Sequence, residues 1–348
     1  MEVGASQLRF LLIFPRFRYP SGDPPLGVAY LAAVLAQAGH EVDIFDATFE
    51  RRPLEALERT LKQRAYDAIG ISMLTSMLTD AAAVARVCRE HSRAPIFLGG
   101  PHPTVDPAGA LAIDGVDAVM IGEGERSIVQ LAAAGGEYTA VPGMAYVRDG
   151  DVVLTGEPQL VQDLDDVPFP ARGLLDMEQY MGLWYQLDAV RYGLRGTSIL
   201  ASRGCPFDCA YCQPTLRSIF GKRVRRRSPE NIVAELVELK REYNPDGVMW
   251  LDDTFLLNKP WTIKLCDMMI EADLGIIWGC NIRVDLADHD VIEHMKRAGL
   301  RIVHVGIETA SQRILDEVYH KGITVEQVRR TVAITHEMGL SVRGYFML

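Results

Sequence analysis

The stretch "GTSILASRGCPFDCAYCQ", Gly196 to Gln213, joins an apolar, strand-like run to a loop holding three cysteines. Cys205, Cys209 and Cys212 are separated by three residues and then two. Three thiolates on one tight loop can hold three irons of a cubane [4Fe–4S] cluster and leave the fourth iron open. Gly204 and Pro206 help the backbone turn tightly enough for the sulfurs to converge. A structural zinc site takes four ligands, usually as two spaced pairs, and no second pair follows. Three unrelated buried thiols in one polar loop are the remaining reading.

Downstream of this loop a βα series runs to the end of the chain. Ser228-Pro229 opens the helix "ENIVAELVELKREY" as N-cap and first-turn proline. Then come the strand "DGVMWLDDTF", the helix "WTIKLCDMMIEA", the strand "IIWGCNIRVD" and the helix "DVIEHMKRAG". The strand "RIVHVGIE" follows, Thr324 and Gln327 form a capping box for "VEQVRRTVAITHEMG", and "SVRGYFML" is the last strand. Five strands alternating with four helices predict a partial (βα) barrel over residues 193–348. The series stops on a core strand, so the chain is expected to be truncated at its C-terminal end.

Upstream, from Leu8 to about Leu131, five short apolar runs alternate with amphipathic segments, predicting a parallel sheet covered on both faces. This predicts a doubly wound, Rossmann-like (flavodoxin-like) α/β domain over residues 1–135, with ligands bound beyond the carboxyl ends of its strands. At those ends lie Asp46, "SMLTS" with Ser72 and Thr75, "GGPHPT" with Gly99 and Gly100, and "GEGE" with Gly122, Glu123 and Gly124. Small residues there allow a bulky polar ligand close to the backbone; such turns are also simply how these folds are built. Residues 136–192 read as a linker carrying a β-hairpin around Asp149-Gly150.

The 348 residues are 48% hydrophobic and 24% charged, the balance of a globular protein with a substantial core. A formal net charge of −10 gives no global field for nucleic acid or an anionic membrane. The apolar run in "MEVGASQLRFLLIFPRF" is broken by Pro15 and Arg16, too early for a signal peptide. No window reaches the roughly 18 apolar residues of a membrane span. Six cysteines in a chain of this size make no disulfide framework, so a cytoplasmic location is expected. The basic run "GKRVRRR", Gly221 to Arg227, reads as a solvated face or as a clamp for an anionic group.

Strand alternation places Asn281, Arg283 and Asp285 on one face of "GCNIRVD", opposite Cys280. His304, Gly306 and Glu308 share a face of "RIVHVGIE", with His304 a core histidine or a catalytic one. Buried Asp/Arg pairs in the barrel could equally be ion pairs only.

Cys205, Cys209 and Cys212, with Tyr211 before the last of them, resemble the signature of radical S-adenosylmethionine enzymes. The N-terminal blocks "PPLGVAYLAAVLAQAGHEVDIFDA", "GISMLTS", "GGPHPT" and "GEGE" resemble the cobalamin-binding domain that precedes the barrel in one large subfamily. That subfamily includes C-methyltransferases and the anaerobic magnesium-protoporphyrin ester cyclase. The resemblance implies that the amino and carboxylate groups of S-adenosylmethionine chelate the open iron. One-electron reduction, from a donor such as flavodoxin or ferredoxin, would then release a 5′-deoxyadenosyl radical. In methylating members cobalamin passes a methyl group to the resulting carbon radical of a small-molecule substrate. By position, Asp252 or Asp253 in "LDDTF" would receive the methionyl ammonium, and Arg283 the carboxylate. Glu308 would contact the ribose, and Tyr211 the adenine. The three cysteines would be the metal ligands. Asp46, Ser72, Thr75, Gly99, Gly100, Gly122, Glu123 and Gly124 would contact cobalamin, with no histidine expected below the cobalt because the first loops lack Asp-x-His-x-x-Gly. His102 would contact the nucleotide tail or only structure its turn, with cobalt ligation as the alternative. Methylation of an unactivated carbon is the expected reaction. Radical cyclisation or rearrangement, and a non-catalytic cobalamin- and iron–sulfur-binding module, are the alternatives.

Overall fold

The computed structural model describes residues 7–347, the side chains of Gln213 and Pro214 apart. The first residues of the stretch read against a signal peptide, and Leu348, lie outside the described residues. Two hydrophobic cores organise the chain, one around each of two sheets, the first mostly and the second wholly parallel.

The first sheet contains β1 (Arg9–Phe14), β2 (Glu41–Asp46), β3 (Ala68–Ser72), β4 (Ile96–Gly99), β5 (Ala118–Met120), β6 (Met144–Arg148) and β7 (Asp151–Leu154). Its order is β2-β1-β3-β4-β5-β6-β7, with β1 to β5 parallel. The 2-1-3-4-5 order is that of the flavodoxin-like fold, and the chain reverses direction across the sheet at β1/β3. β1 and β4 are apolar nearly throughout because helices cover both faces.

The hairpin turns at Asp149 and Gly150, both at positive φ, as a two-residue primed turn requires. It is not a separate piece of linker. β6 pairs antiparallel with β5, so the hairpin forms the edge of the first sheet. The connector beyond it also has packing work. Met177, Tyr180 and Met181 pack against Ala29 of the first unit. Trp184, Leu187 and Leu194 pack against Met249 and Ile302 of the second. Gly196 is required by this packing, because a Cβ there would meet the Trp184 ring at 2.2 Å.

The second sheet is built from β8 (Gly196–Ile199), β11 (Gly247–Trp250), β12 (Ile277–Ile282), β13 (Leu300–Glu308) and β14 (Ser341–Phe346). Before β11 come β9 (Ser202–Arg203) and β10 (Arg225–Arg226), an antiparallel two-residue ribbon. The five long strands follow in sequence order and are all parallel, which is an open, partial βα barrel. Helices Pro229–Tyr243, Lys259–Ala272, His289–Arg297 and Val325–Glu337 connect them. Ser228 and Thr324 cap the first and last of these, the latter with the capping box complete. Among the described residues no helix is long and apolar enough to cross a membrane.

Candidate functional site

The ribbon of β9 and β10 holds the cysteine loop at its neck. Gly204 turns the chain at φ 91°, where a Cβ would stand 3.3 Å from the Arg223 carbonyl. The Cys212 N–H donates to the Cys209 carbonyl at 3.1 Å, and Ala210 N–H to the Tyr319 carbonyl at 2.9 Å. The three thiols thus lie on one short turn, with Cys209 buried and the other two half-buried. Among the described residues no three His, Cys, Asp or Glu side chains converge closely enough to hold one metal ion. A mononuclear site needs that convergence; a cubane, in which each sulfur takes a different iron, does not. Burial, and then repulsion from Asp253 and the neighbouring cysteines, pushes the Cys212 thiol up. A cationic metal group beside the loop would reverse that and stabilise the thiolates.

The loop closes one side of a cavity of about 210 Å³ at the carboxyl ends of the second sheet. Tyr211, Asp253, Asn281, Arg283 and Glu308 all line it. Asp252 does not. It is 1% exposed and accepts from Ala201 N–H at 3.0 Å and from the Ser202 hydroxyl, so it anchors the chain entering the cysteine loop. Burial pushes its carboxyl up to about 6. Of the two, Asp253 faces the cavity and Asp252 the core. Asp253 is exposed at the cavity mouth, and its partial desolvation there raises its carboxyl, against a hydrogen bond from Gly204 N–H.

Arg283 is largely committed within the protein. It donates to Asp285 through Nε at 3.0 Å, to the Lys321 carbonyl through Nη2 at 2.8 Å, and towards Cys209 Sγ through Nη1 at 3.6 Å. Its guanidinium also stacks over the Phe207 ring at 3.5 Å. Asn281 donates to the Asp252 carbonyl at 2.9 Å, fixing β12 to the end of β11.

Glu308 ends β13 in the left-handed region, at φ 63°, a conformation uncommon for a non-glycine residue. Its Oε1 accepts from Tyr211 Oη at 2.9 Å and from Lys321 Nζ at 2.7 Å, and Lys321 Nζ lies 2.9 Å from the same phenol. Lys321 is 7% exposed and escaped the sequence reading, because a single lysine in "YHKGIT" carries no spacing signal. Gly306 makes room for the group. A Cβ there would stand 2.4 Å from Glu308 Oε1 and 2.7 Å from Lys321 Nζ.

A second, mostly apolar cavity of about 270 Å³ runs between the first sheet and helices Leu26–Gln37 and Glu125–Ala133. It opens at the strand ends against Leu200, Ser202, Phe220 and Leu251 of the second unit. Asp253 lines this cavity as well as the first. Ser72, Gly99, Gly100, Gly122, Glu123 and Gly124 line it; Asp46 and Thr75 do not. Asp46 accepts from Tyr180 Oη at 2.6 Å and from Thr48 N–H at 3.0 Å, so it secures the connector. Thr75 Oγ1 lies 3.1 Å from His102 Nδ1, which structures the turn after β4. Gly100 sits at φ 100° against the backbone of Met73, and Gly70 leaves space beside Leu12, so the cradle depends on missing side chains.

Glu123 reaches the cavity wall, but its carboxylate is engaged. It receives both Nη groups of Arg225, at 2.6 and 2.7 Å, and Val161 N–H at 2.9 Å. Arg203 lies 3.3 Å from it and donates to Glu125 at 2.6 Å. Arg227, in the same basic run, pairs with buried Glu235, which also pairs with Arg172. "GKRVRRR" is therefore neither a solvated face nor an open clamp at Arg225 and Arg227, which are 5% and 6% exposed. Arg225 and Arg203 pin the two units together through Glu123 and Glu125, while the Arg227–Glu235 pair lies within the second unit.

Comparison with known proteins agrees with this architecture. Residues 21–132 match the B12 binding domain, and residues 199–348 match the radical SAM superfamily. An uncharacterised methyltransferase of Pyrococcus horikoshii is 34% identical over 330 residues, covering 93% of this chain and 69% of its own length. The anaerobic magnesium-protoporphyrin IX monomethyl ester cyclase of Rubrivivax gelatinosus is 28% identical over 358 residues, covering 98% of this chain and 62% of its own length. In structure, TsrM from Kitasatospora setae, a radical S-adenosylmethionine methyltransferase solved with cobalamin and a [4Fe–4S] cluster, superposes with a TM-score of 0.79 at 20% identity. That match covers 97% of this chain and 66% of TsrM. The chain thus spans about two thirds of the length of these three relatives.

Proposed function

The chain belongs to the cobalamin-binding radical S-adenosylmethionine enzymes, and from that premise we propose that it methylates an unactivated carbon of a small molecule. The observation that carries this reading is the shared wall at Asp253. One cavity holds the cysteine loop, the other lies in the B12 binding domain, and the two meet at that side chain. When bound, a [4Fe–4S] cluster with S-adenosylmethionine supplies a 5′-deoxyadenosyl radical, and cobalamin supplies a methyl carrier.

In this reading Cys205, Cys209 and Cys212 hold the cluster. Asp253 and Asn281 orient the methionyl end of the nucleotide. Glu308 receives the ribose hydroxyls, and Lys321 holds that carboxylate in place. The Tyr211 ring, open on one side to the cavity, packs against the base. Arg283 restrains the cysteine loop more than it reaches for the nucleotide. The apolar cavity, entered over Gly99 and Gly100, receives the nucleotide tail of cobalamin. Its mostly hydrocarbon lining excludes water from the side facing the cluster.

Radical cyclisation is the second reading, favoured by identity to the cyclase along 98% of the chain. Anaerobic reconstitution with iron, sulfide and cobalamin, followed by reductant and S-adenosylmethionine, separates the two. The expected products are 5′-deoxyadenosine and S-adenosylhomocysteine; 5′-deoxyadenosine alone would favour cyclisation, and neither product would leave a binding module. The visible absorbance of the cluster should be lost in Cys209→Ala, and its retention would overturn the ligand assignment.

A further inference from the structure

Deeper in the lumen of the second sheet lies a polar layer with no part in the roles given above. His304 is 3% exposed, and its Nδ1 lies 3.1 Å from Tyr345 Oη. Its Nε2 is buried without any hydrogen-bond partner, although the ring lines the cavity beside the cysteines. A buried polar nitrogen left unpaired costs free energy that a bound group would recover. On the neighbouring strand Arg343 is in register with His304, and Tyr345 with Gly306, so Arg343 and Tyr345 share the lumen face with the imidazole. The Arg343 side chain makes no hydrogen bond or ion pair among the described residues. Beneath this layer Trp184, Leu187, Leu194, Met249 and Ile302 close the lumen with hydrocarbon.

We propose that His304 Nε2 and the Arg343 guanidinium together receive an anionic oxygen of the substrate, of carboxylate or phosphoryl type. The inference rests on the radical reading for the entry of a substrate into this lumen. With Tyr345 donating to Nδ1, the imidazole presents one N–H at Nε2. Burial and the nearby Arg343 hold its pKa down to about 4, so it serves as a neutral donor beside the Arg343 cation, while Arg283 and Lys321 elsewhere on the cavity wall are paired with Asp285 and Glu308. An anion there would complete both groups with charge-assisted hydrogen bonds.

The test is nitrogen NMR of the full chain labelled in its eight histidines, before and after cluster reconstitution, with His304 assigned from H304Q. Methylphosphonate and acetate are the titrants. A saturable shift of His304 Nε2 is expected, with the stronger of the two anions identifying the class. Affinity should fall about tenfold in Arg343→Met, the loss of one charge-assisted contact. It should return to within about threefold of the parent in Arg343→Lys, which keeps the charge. No saturable shift with either anion, a shift shared equally by all histidines, or unchanged affinity in Arg343→Met would overturn the proposal. Formation of 5′-deoxyadenosine, measured separately on the parent enzyme, tests the radical reading independently.

Discussion

Glu123 offers a sharp test of what holds the two proposed cofactor cavities face to face. Its side chain is 2% exposed and that of Arg225 is 4% exposed, so neither charge has water to fall back on. Replacing Glu123 with Ala leaves Arg225 with only the Val161 and Phe220 carbonyls, while Arg203 keeps Glu125. Removing one partner of a buried pair typically costs about 3–5 kcal/mol. The surviving carbonyls and Glu125 place this case near 3 kcal/mol, the low end of that range. The four tryptophans, at 184, 250, 261 and 278, all lie in the connector or the second unit. Urea unfolding followed by tryptophan fluorescence therefore reports the second unit, and far-ultraviolet circular dichroism reports both. The two transitions should separate in Glu123→Ala. The double variant Glu123→Leu with Arg225→Met should recover much of the loss, because an apolar pair of similar volume leaves no charge stranded. A loss below about 1 kcal/mol in Glu123→Ala, or a double variant as damaged as the sum of the singles, would refute the reasoning.

Gly99→Leu should reduce cobalamin retained through gel filtration at least about tenfold, since a Cβ at Gly99 meets nothing nearer than 4.0 Å and the added side chain occupies the cavity. Its thermal midpoint should be unchanged or higher, which separates blocking from misfolding. In the chain without cofactors, His304 and Asp252 act on stability with opposite signs. The His304 pKa is lowered from 6.5 to about 4, so the unfolded chain binds the extra proton and stability falls as pH drops through that window. The Asp252 pKa is raised from 3.8 to about 6, so the folded chain binds the proton and stability rises over nearly the same window. Urea midpoints between pH 6.5 and 4 should fall less steeply in His304→Gln than in the parent, and more steeply in Asp252→Asn.

The chemistry of single residues in the sequence accounts for much of this architecture, and pairing accounts for what it hides. β1, β3 and β4 are read correctly because an apolar run buried on both faces leaves few other conformations open. Cys205, Cys209 and Cys212 are legible because their spacing is local and thiol chemistry is specific. Arg225 and Arg227 are not, since a basic run looks alike whether it meets water or Glu123 and Glu235 more than a hundred, or only eight, residues distant. Lys321 is hidden for the same reason. Its meaning comes from Glu308 and Tyr211, and only the tertiary fold brings them together. Asp46 is the reverse case, a strand-end carboxylate in a ligand-like position whose charge is turned to Tyr180, 134 residues away.

The paired arginines also bear on how two cofactor sites can cooperate. In the proposed reading, radical chemistry at one cavity and methyl delivery at the other would work together only if the reacting atoms were held in register; small misplacements cost large factors in rate. A hydrophobic interface alone would leave the two units free to slide, because apolar contact is non-directional. The bidentate Arg225–Glu123 pair fixes both distance and angle. It does so from β10 of the cysteine-loop ribbon to the "GEGE" turn of the B12 binding domain, so it ties together the two loops that line the cavities. Buried ion pairs often add little net stability. Their retention at this junction follows if what they supply is orientation, and the separation of unfolding transitions in Glu123→Ala measures that directly.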